Sequence, residues 1–385
     1  MKDNKTKQVR SWLLLSLCFL ILICTIYFVL QQRTQTKNHV QQYSETLTDV
    51  GFDTFVTYTE TTDQETFQEH LQFIKERFIY YNKLFDYYHT YEDIQNLCSI
   101  NEAAGKTAVK VDTPLLECIQ KAYSFYQYSD HFDATQGTLL NVWHQYREEG
   151  IKQNKLGKSG SLPALEELQT AYNPNSWDAV DIDEANNRIY IKDKNVSIDL
   201  GGIAKGYAVE KIYEDLTDKG VNSAILNAGG NVMVIGSKTD GEPWRVGIQT
   251  PSANELETAN IAVLSLEGTH AIVTSGDYQR YYEADGKLYS HIIDPTTLYP
   301  ARFMRSVTVV CDDSTLADCL STTLFTLSYE EGKELINQLQ QKNIHVQAVW
   351  VFDDTCFEIP NDEYTLKQDG YTLLFTPSLQ KNISK

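Results

Sequence analysis

The chain has 385 residues, 42% of them hydrophobic and 22% charged, with a formal net charge of −19. That length can bury a full core as one large domain or two subdomains, and the composition is that of a globular protein rather than a disordered one. Residues 1–40 carry six basic side chains and one acid, which leaves −24 on the remainder and argues against a nucleic-acid partner.

The run 12–30 holds 19 residues without a charge, enough to cross a bilayer as a helix. Lys2, Lys5, Lys7 and Arg10 precede it, so the positive-inside rule keeps the N-terminus cytoplasmic and sends the chain after about residue 31 outside. A cleaved signal peptide has a shorter apolar core and a small-residue cleavage site, and Gln31-Gln-Arg-Thr-Gln-Thr offers no good one. A lipoprotein signal needs a small residue before its cysteine, whereas Ile23 precedes Cys24. The expected form is an uncleaved single-pass anchor in the cell membrane, with lipid anchoring and secretion as alternatives. The expected segments are a basic tail (1–11), the anchor (12–30), a polar linker (31–46), one folded domain (47–378) and a short tail (379–385).

Residues 52–58 alternate and are rich in β-branched and aromatic side chains, which predicts a strand. Phe67, Leu71, Ile74 and Phe78 recur at helical spacing over 67–88. Leu115, Cys118, Ile119, Ala122 and Phe125 do so over 114–128, after a start signal at Asp112-Thr113-Pro114. The stretch 154–177 reads as a loop around a short helix. From Asp181 strands dominate, beginning with a hairpin of 188–192 and 196–200 around Lys192-Asp-Lys-Asn195. Ala208, Val209, Ile212 and Leu216 mark a helix that stops at Gly220. Further strands are predicted at 224–227, 231–235, 245–249, 261–266 and 271–274, then a hairpin, 281–284 with 287–292, around Asp285-Gly286. A strand at 307–311, helices over 315–327 and 330–341, and strands at 346–352 and 371–375 complete the pattern. The fold class is α+β with mostly antiparallel sheet and no repeat. Of seven cysteines, Cys18 and Cys24 lie in the apolar run; Cys98, Cys118, Cys311, Cys319 and Cys356 show no CxxC or zinc-type spacing and read as buried thiols.

Four stretches carry chemistry. Asp199-Leu-Gly-Gly-Ile-Ala-Lys205-Gly ends a strand, turns at Gly201-Gly202 and opens a helix, whose N-terminus attracts phosphate. Lys205 adds a point charge; the order of a P-loop is absent, and alone such a turn is more often structural. Asp318 and Thr322 lie four apart, on one helix face, and a carboxylate with a hydroxyl suits Mg2+. Without context the same pair is a solvated face. His291, ahead of Asp294-Pro295, could accept a proton from an attacking hydroxyl, although a lone histidine is more often structural. Ser275-Gly276-Asp277 forms a polar turn on the same cleft, with Asp277 the second candidate base. Asn227-Ala-Gly-Gly-Asn231 fits close backbone approach by a ligand and a tight turn equally.

Taken together, in this order and spacing, these stretches resemble the ApbE family of flavin transferases, over about residues 52–374. The resemblance implies an ApbE-like fold with an FAD cleft between two subdomains, and transfer of FMN from FAD to a threonine of another protein. It implies that Mg2+ is held by the Gly202 carbonyl, Asp318 and Thr322, with Ser321 orienting the shell, and that Asp199 and Lys205 contact FAD. It favours His291 as catalytic base over Asp277, and adds Ile292 to the cofactor contacts. Thr90-Tyr91 resembles the segment whose tyrosine packs on the flavin, and His131-Phe132-Asp133-Ala-Thr-Gln-Gly137 resembles a Phe-Asp-Pro-Thr-x-Gly segment with its prolines replaced by Ala134 and Thr138. Phe52-Asp53-Thr54 stands where the family has Met-Gly-Thr; an aromatic can still pack on a ring system. The implied product is a phosphoester-linked flavoprotein, with AMP released. The acceptors expected are exported proteins with a modifiable threonine. Two other readings remain: an FAD diphosphatase giving FMN and AMP, and a non-catalytic flavin-binding surface protein, which leaves Asp318 and Thr322 without a purpose.

Overall fold

The computed structural model describes residues 12, 19–27, 40–252, 259–356 and 358–385. Of the run 12–30, residues 13–18 and 28–30 lie outside them; Trp12 and residues 19–27 are helical with exposed side chains. Among the described residues no helix is long and apolar enough to cross a membrane.

Strand β1 (Gln41–Leu47) pairs antiparallel with β2 (Val56–Thr62), so the polar linker expected to run to residue 46 is a sheet strand from Gln41 on. The expected strand over 52–58 begins only at Val56, because Phe52 and Asp53 take left-handed backbone angles (φ 56° and 48°) in the preceding loop. Helix α1 (Gln64–Phe85) follows, capped by Asp63, then the short α2 (Leu97–Glu102), β3 (Val109–Lys110), α3 (Thr113–Tyr126), α4 (Gly137–Lys155) and α5 (Leu165–Ala171). The hairpin expected around residues 192–195 does not form: β5 (Arg188–Ile191) pairs with β4 (Val180–Asp183) and β3, while Ser197 instead bridges Gln136. That bridge docks the start of α4, whose Gly137 N–H donates to the Ser197 carbonyl at 2.9 Å.

Next come α6 (Ala204–Asp218), β6 (Ala224–Ala228), β7 (Asn231–Ile235), β8 (Trp244–Gln249), β9 (Asn260–Leu266) and β10 (His270–Gly276). The hairpin β11 (Tyr281–Ala284) and β12 (Lys287–Ser290) turns at Asp285-Gly286, both with positive φ (50° and 69°), as its tight turn requires. The chain closes with β13 (Ser306–Cys311), α7 (Ser314–Thr326), α8 (Tyr329–Gln341), β14 (Gln347–Phe352), β15 (Thr365–Gln368), β16 (Tyr371–Phe375) and β17 (Ile383–Ser384). The expected C-terminal tail thus contributes a strand, β17, paired with β9.

Nine strands make one antiparallel sheet in the order β1-β2-β6-β7-β10-β13-β14-β16-β15. Side chains alternate across a strand, so its central strands, buried on both sides, feed two cores. Met233, Ile235, Val273, Val309 and Trp350 face the large core under the helices, whereas Val232, Val234, Ile272, Val310 and Val349 face the small sheet β17-β9-β8. A third, smaller core joins Leu139 and Trp143 of α4 and Leu168 of α5 to Tyr282 and Ala284 of the hairpin and to Ile293 and Leu298.

Candidate active site

The turn before α6, the N-terminal half of α6 and the face of α7 meet at one end of the large core. Asp318 is 4% exposed, and one of its carboxylate oxygens accepts the Gly206 N–H at 2.8 Å. Gly206 is required there, because a Cβ would collide with the Ser314 carbonyl. Burial pushes the Asp318 carboxyl above the usual range, while the Lys205 ammonium, the Gly206 N–H and the Asn231 side chain pull it back. Asn231 is 1% exposed on the helix-facing side of β7, and its Oδ1 has no partner among the described residues. One turn beyond Asp318, Thr322 stands over the Gly201-Gly202 turn: a Cβ at Gly202 would lie 3.3 Å from Thr322 Oγ1 and 3.0 Å from the Phe132 ring. Ser321 and Ser275 share a hydrogen bond of 2.8 Å that ties α7 to the end of β10.

Gly202, Asp318 and Thr322 are therefore together. Among the described residues no group of three or more His, Cys, Asp and Glu side chains is arranged to hold a metal. A cation at this end of α7 would rest on one buried carboxylate, a hydroxyl and backbone oxygen. That donor set fits Mg2+, a hard ion that takes oxygen ligands, keeps several waters and shares its shell with phosphate.

A positive wall faces this corner. Lys205 is half-buried, and its amine is held below the usual lysine range by lost hydration and by Arg280, against the pull of Asp318. His291 reaches solvent, yet the protein crowding it drives its pKa down to about 3, helped by Arg280, Arg147 and Lys205. A group that is exposed on one side and poorly hydrated on the others lines a cleft. Its Nδ1 lies 3.2 Å from the Arg280 carbonyl, which can only accept, so Nδ1 carries the proton and Nε2 keeps a free lone pair. Asp199 is half-buried beside His144 and Arg147; it accepts the Gly201 N–H at 2.7 Å and so holds the Gly201-Gly202 turn.

The two candidate bases differ. Both carboxylate oxygens of Asp277 accept from Arg305 Nε, at 3.1 and 2.9 Å, and Arg305 is also paired with Asp353. Burial raises the Asp277 carboxyl and Arg305 opposes it. Its lone pairs are committed to an ion pair that pins the end of β10, whereas Nε2 of His291 is uncommitted among the described residues.

The N-terminal candidates divide likewise. Phe132 is buried between Phe125 and the Gly202 turn. Phe52 is half-buried and packs on Phe78 and Phe85, with ring centroids 6.2 and 6.5 Å away. Its carbonyl accepts from Arg280 at 3.1 Å, so the loop holding Phe52 and Asp53 anchors a side chain of the positive wall. The next residue, Thr54, packs on Gly229, whose positive φ (56°) and missing Cβ admit it. Ile292 is buried and its carbonyl accepts from the Ala301 N–H. His131 Nδ1 lies 3.3 Å from Thr326 Oγ1 and 3.8 Å from Asp294. Asp133 fastens its own turn through Thr135 and Gln136. Tyr91 donates to Asp86 at 2.7 Å, and its ring lies under Lys83. Asp133 and Tyr91 thus spend their polar groups within their own loops.

Four contributors had no motif to reveal them. Tyr88 is 51% exposed, and its ring lies 4.7 Å from that of His144. Its phenol senses Asp199 and Arg147. Arg147 and His144 come from α4 and Arg280 from the approach to the hairpin. A Tyr87-Tyr88 pair just past the last apolar position of α1, and an arginine one turn past Trp143, are signals that could have drawn attention to them.

The ApbE family profile matches residues 52–348 of this chain. A Klebsiella pneumoniae protein named FAD:protein FMN transferase is 31% identical over 280 residues, covering 70% of this chain and 81% of its own length. A Vibrio cholerae protein of the same name is 30% identical over 249 residues, 63% of this chain and 70% of its own. Among solved structures, the ApbE protein of Thermotoga maritima matches with a TM-score of 0.67 at 30% identity, over 80% of this chain and 94% of that one. The flavin transferase ApbE from Vibrio cholerae matches with a TM-score of 0.66 at 23% identity, over 89% and 100%, which speaks for the fold alone. The chain belongs to the ApbE family.

Proposed function

We propose that this protein is an FAD:protein FMN transferase: it moves FMN from FAD to a threonine hydroxyl of an acceptor protein and releases AMP, with Mg2+ required. The observation that carries this reading is the meeting of one buried carboxylate, Asp318, and the Thr322 hydroxyl with a wall of Lys205, Arg280 and Arg147 in an otherwise acidic protein. An acidic chain has reason to gather cations in one cleft where a diphosphate must be bound.

Gly202, Asp318 and Thr322 would hold Mg2+, which as a Lewis acid would neutralise charge on the phosphates. The residues of the chain do the rest. Lys205 and the N-terminus of α6 supply positive charge to the diphosphate. Arg147, His144 and Tyr88 on one side and Arg280 on the other bound the cleft between the large core and the small α4–hairpin core. His291 Nε2 accepts the proton of the threonine hydroxyl as its oxygen attacks the FMN phosphorus. The P–O bond to AMP breaks, and AMP leaves with the bridging oxygen. An imidazole with a pKa near 3 is a weak base; lost hydration depresses it first and three cations add to that, so a bound diphosphate raises it by the cations' part alone.

The charge-free run 12–30 with basic residues before it supports a single-pass anchor and a catalytic domain outside the membrane, with exported proteins as acceptors. The test mixes the full-length protein with FAD, Mg2+ and a threonine-bearing flavin-acceptor domain, and follows acceptor mass and AMP together. A gain of one FMN that is lost with EDTA supports the proposal. AMP with free FMN and an unmodified acceptor means hydrolysis instead, and retained flavin with neither product means a carrier.

A further inference from the structure

Helices α6 and α7 run antiparallel and touch in steps of one turn. Gly202, in the turn before α6, lies under Thr322; Gly206 donates its N–H to Asp318; and Glu210 accepts the Ser314 N–H at 2.6 Å. Each step moves four residues along both elements, close to the 3.6-residue turn of an α-helix. The first two contacts contain the oxygens assigned to the metal. The third lies one turn beyond the second and two beyond the first, about 6 and 12 Å along the axis at 1.5 Å per residue, and touches neither FAD nor metal in the proposed reading.

We infer that Glu210 is the positioning residue of the site: its bond to the Ser314 N–H sets the axial register of α7 on α6, and so sets Asp318 and Thr322 against the Gly202 turn. The Ser314 N–H is one of the orphan donors at the start of a helix, where Asp313 already caps Leu316. Glu210 and Ser314 are 8% and 0% exposed, so neither group can turn to water if the bond is lost. Gly206 lets the backbones approach but leaves them free to slide, since a missing side chain holds nothing. Asp318 divides its carboxylate, one oxygen accepting the Gly206 N–H and the other serving the metal in the proposed reading. Glu210 has no such second duty. Burial and the neighbouring Asp313 and Glu214 raise its pKa to about 7, against Lys121 and the Ser314 bond.

This inference rests on the reading that Asp318 and Thr322 hold the metal, and its test separates the two. Full-length wild type, Glu210→Ala, Glu210→Gln and Ser314→Pro are compared. Proline is accepted at the first helical position and deletes the donor without breaking α7; the extended backbone of Asp313 (φ −121°, ψ 118°) suits a following proline. Two readouts are taken: the Mg2+ concentration for half-maximal FMN transfer alongside the KM for FAD, and amide hydrogen exchange over 314–322 with and without Mg2+ in the absence of FAD. Glu210→Ala and Ser314→Pro should each raise the Mg2+ half-saturation about 10-fold, the usual scale for a group that supports metal ligands, with the FAD KM little changed. Their effects should not add in the double variant, since both remove one bond. Glu210→Gln, which keeps an acceptor oxygen, should restore most of the loss. Mg2+-dependent protection of residues 318–322 should fall in the first two variants and not in the third. A folded Glu210→Ala or Ser314→Pro protein with wild-type Mg2+ half-saturation overturns the inference, as does faster exchange in α7 without any change in Mg2+ dependence. If wild type transfers no FMN, the proposed function fails, while Mg2+-dependent protection that depends on Glu210 would still support the register role.

Discussion

On β7, Met233 and Ile235 face the helices while Val232 and Val234 face the small sheet, and β10, β13 and β14 alternate in the same way. The small-sheet side is filled by Trp244, Val246, Leu264 and Phe375 and their neighbours, an interior held mainly by apolar area, with Trp244 Nε1 buried without a partner among the described residues. The helix side is packed as tightly, but at one end it also buries Asn231, Asp318, Ser321 and Glu210. Each buried polar group costs stability unless it is bonded, and Asn231 Oδ1 has no bond among the described residues. The comparison teaches that one sheet separates a face built chiefly of apolar contact from a face that gives up stability to hold a site.

Variants can break or sharpen that separation. The largest expected effect is on chemistry: His291→Ala should lower the rate of FMN transfer by roughly 10²–10⁴-fold, the range for a general base, in single-turnover assays; a variant at full rate would end the assignment. Next, Asp318→Asn should cost about 10²–10³-fold in rate, as for a lost electrostatic contact in a closed site. Its Tm should hold or rise, because a buried carboxylate that burial disfavours has been removed. On the opposite face, Leu264→Ala should cost about 2–5 kcal/mol in denaturant unfolding and leave kcat/KM unchanged below the transition; a matching loss of activity would mean the faces are not separate.

A smaller effect concerns pH. Glu210 holds its proton to about pH 7 in the folded protein, against 4.5 when unperturbed. Over that window the unfolded state binds fewer protons, so stability declines as pH rises, fully present below 4.5 and lost through 7. Glu210→Gln lacks this dependence and should flatten the slope of unfolding free energy against pH between those values, by an amount on the order of 3 kcal/mol across the window. The smallest effect is expected for Asp277→Asn. It leaves the reacting groups in place and weakens only the Arg305 pair, so transfer should fall less than about tenfold, below the range for a general base, while Tm drops.

Much of the fold was legible because period reports burial. The spacing of Phe67, Leu71, Ile74 and Phe78 became the buried face of α1, and 231–235 became β7 without a shift. Misreadings fell where a tertiary partner decided. Residues 196–200 looked like half of a hairpin, but Ser197 is taken by Gln136 and Gly137 from a distant loop. Helix α4 went unrecognised because much of its surface is only partly buried, so its apolar period is faint. The polar stretch from Gln41 found a partner in β2, which supplies cross-strand Ser44–Thr59 and Thr46–Thr57 hydrogen bonds beside the packing of Tyr43 on Phe67.

For the site, the motifs were sufficient to point to Gly202, Lys205, Asp318, Thr322 and His291, because glycines, charges and a four-residue helical step carry local chemical meaning. Sequence alone determined the acidic body, the charge-free run, the strongly periodic elements and the family. Only the tertiary structure decided that Asp277 is bound to Arg305 while His291 Nε2 is left open, that Tyr88 and not Tyr91 reaches His144, and that Glu210 meets Ser314 across 104 residues. A motif fixes which groups are present. Which lone pair is still free depends on every donor that folding brings beside it.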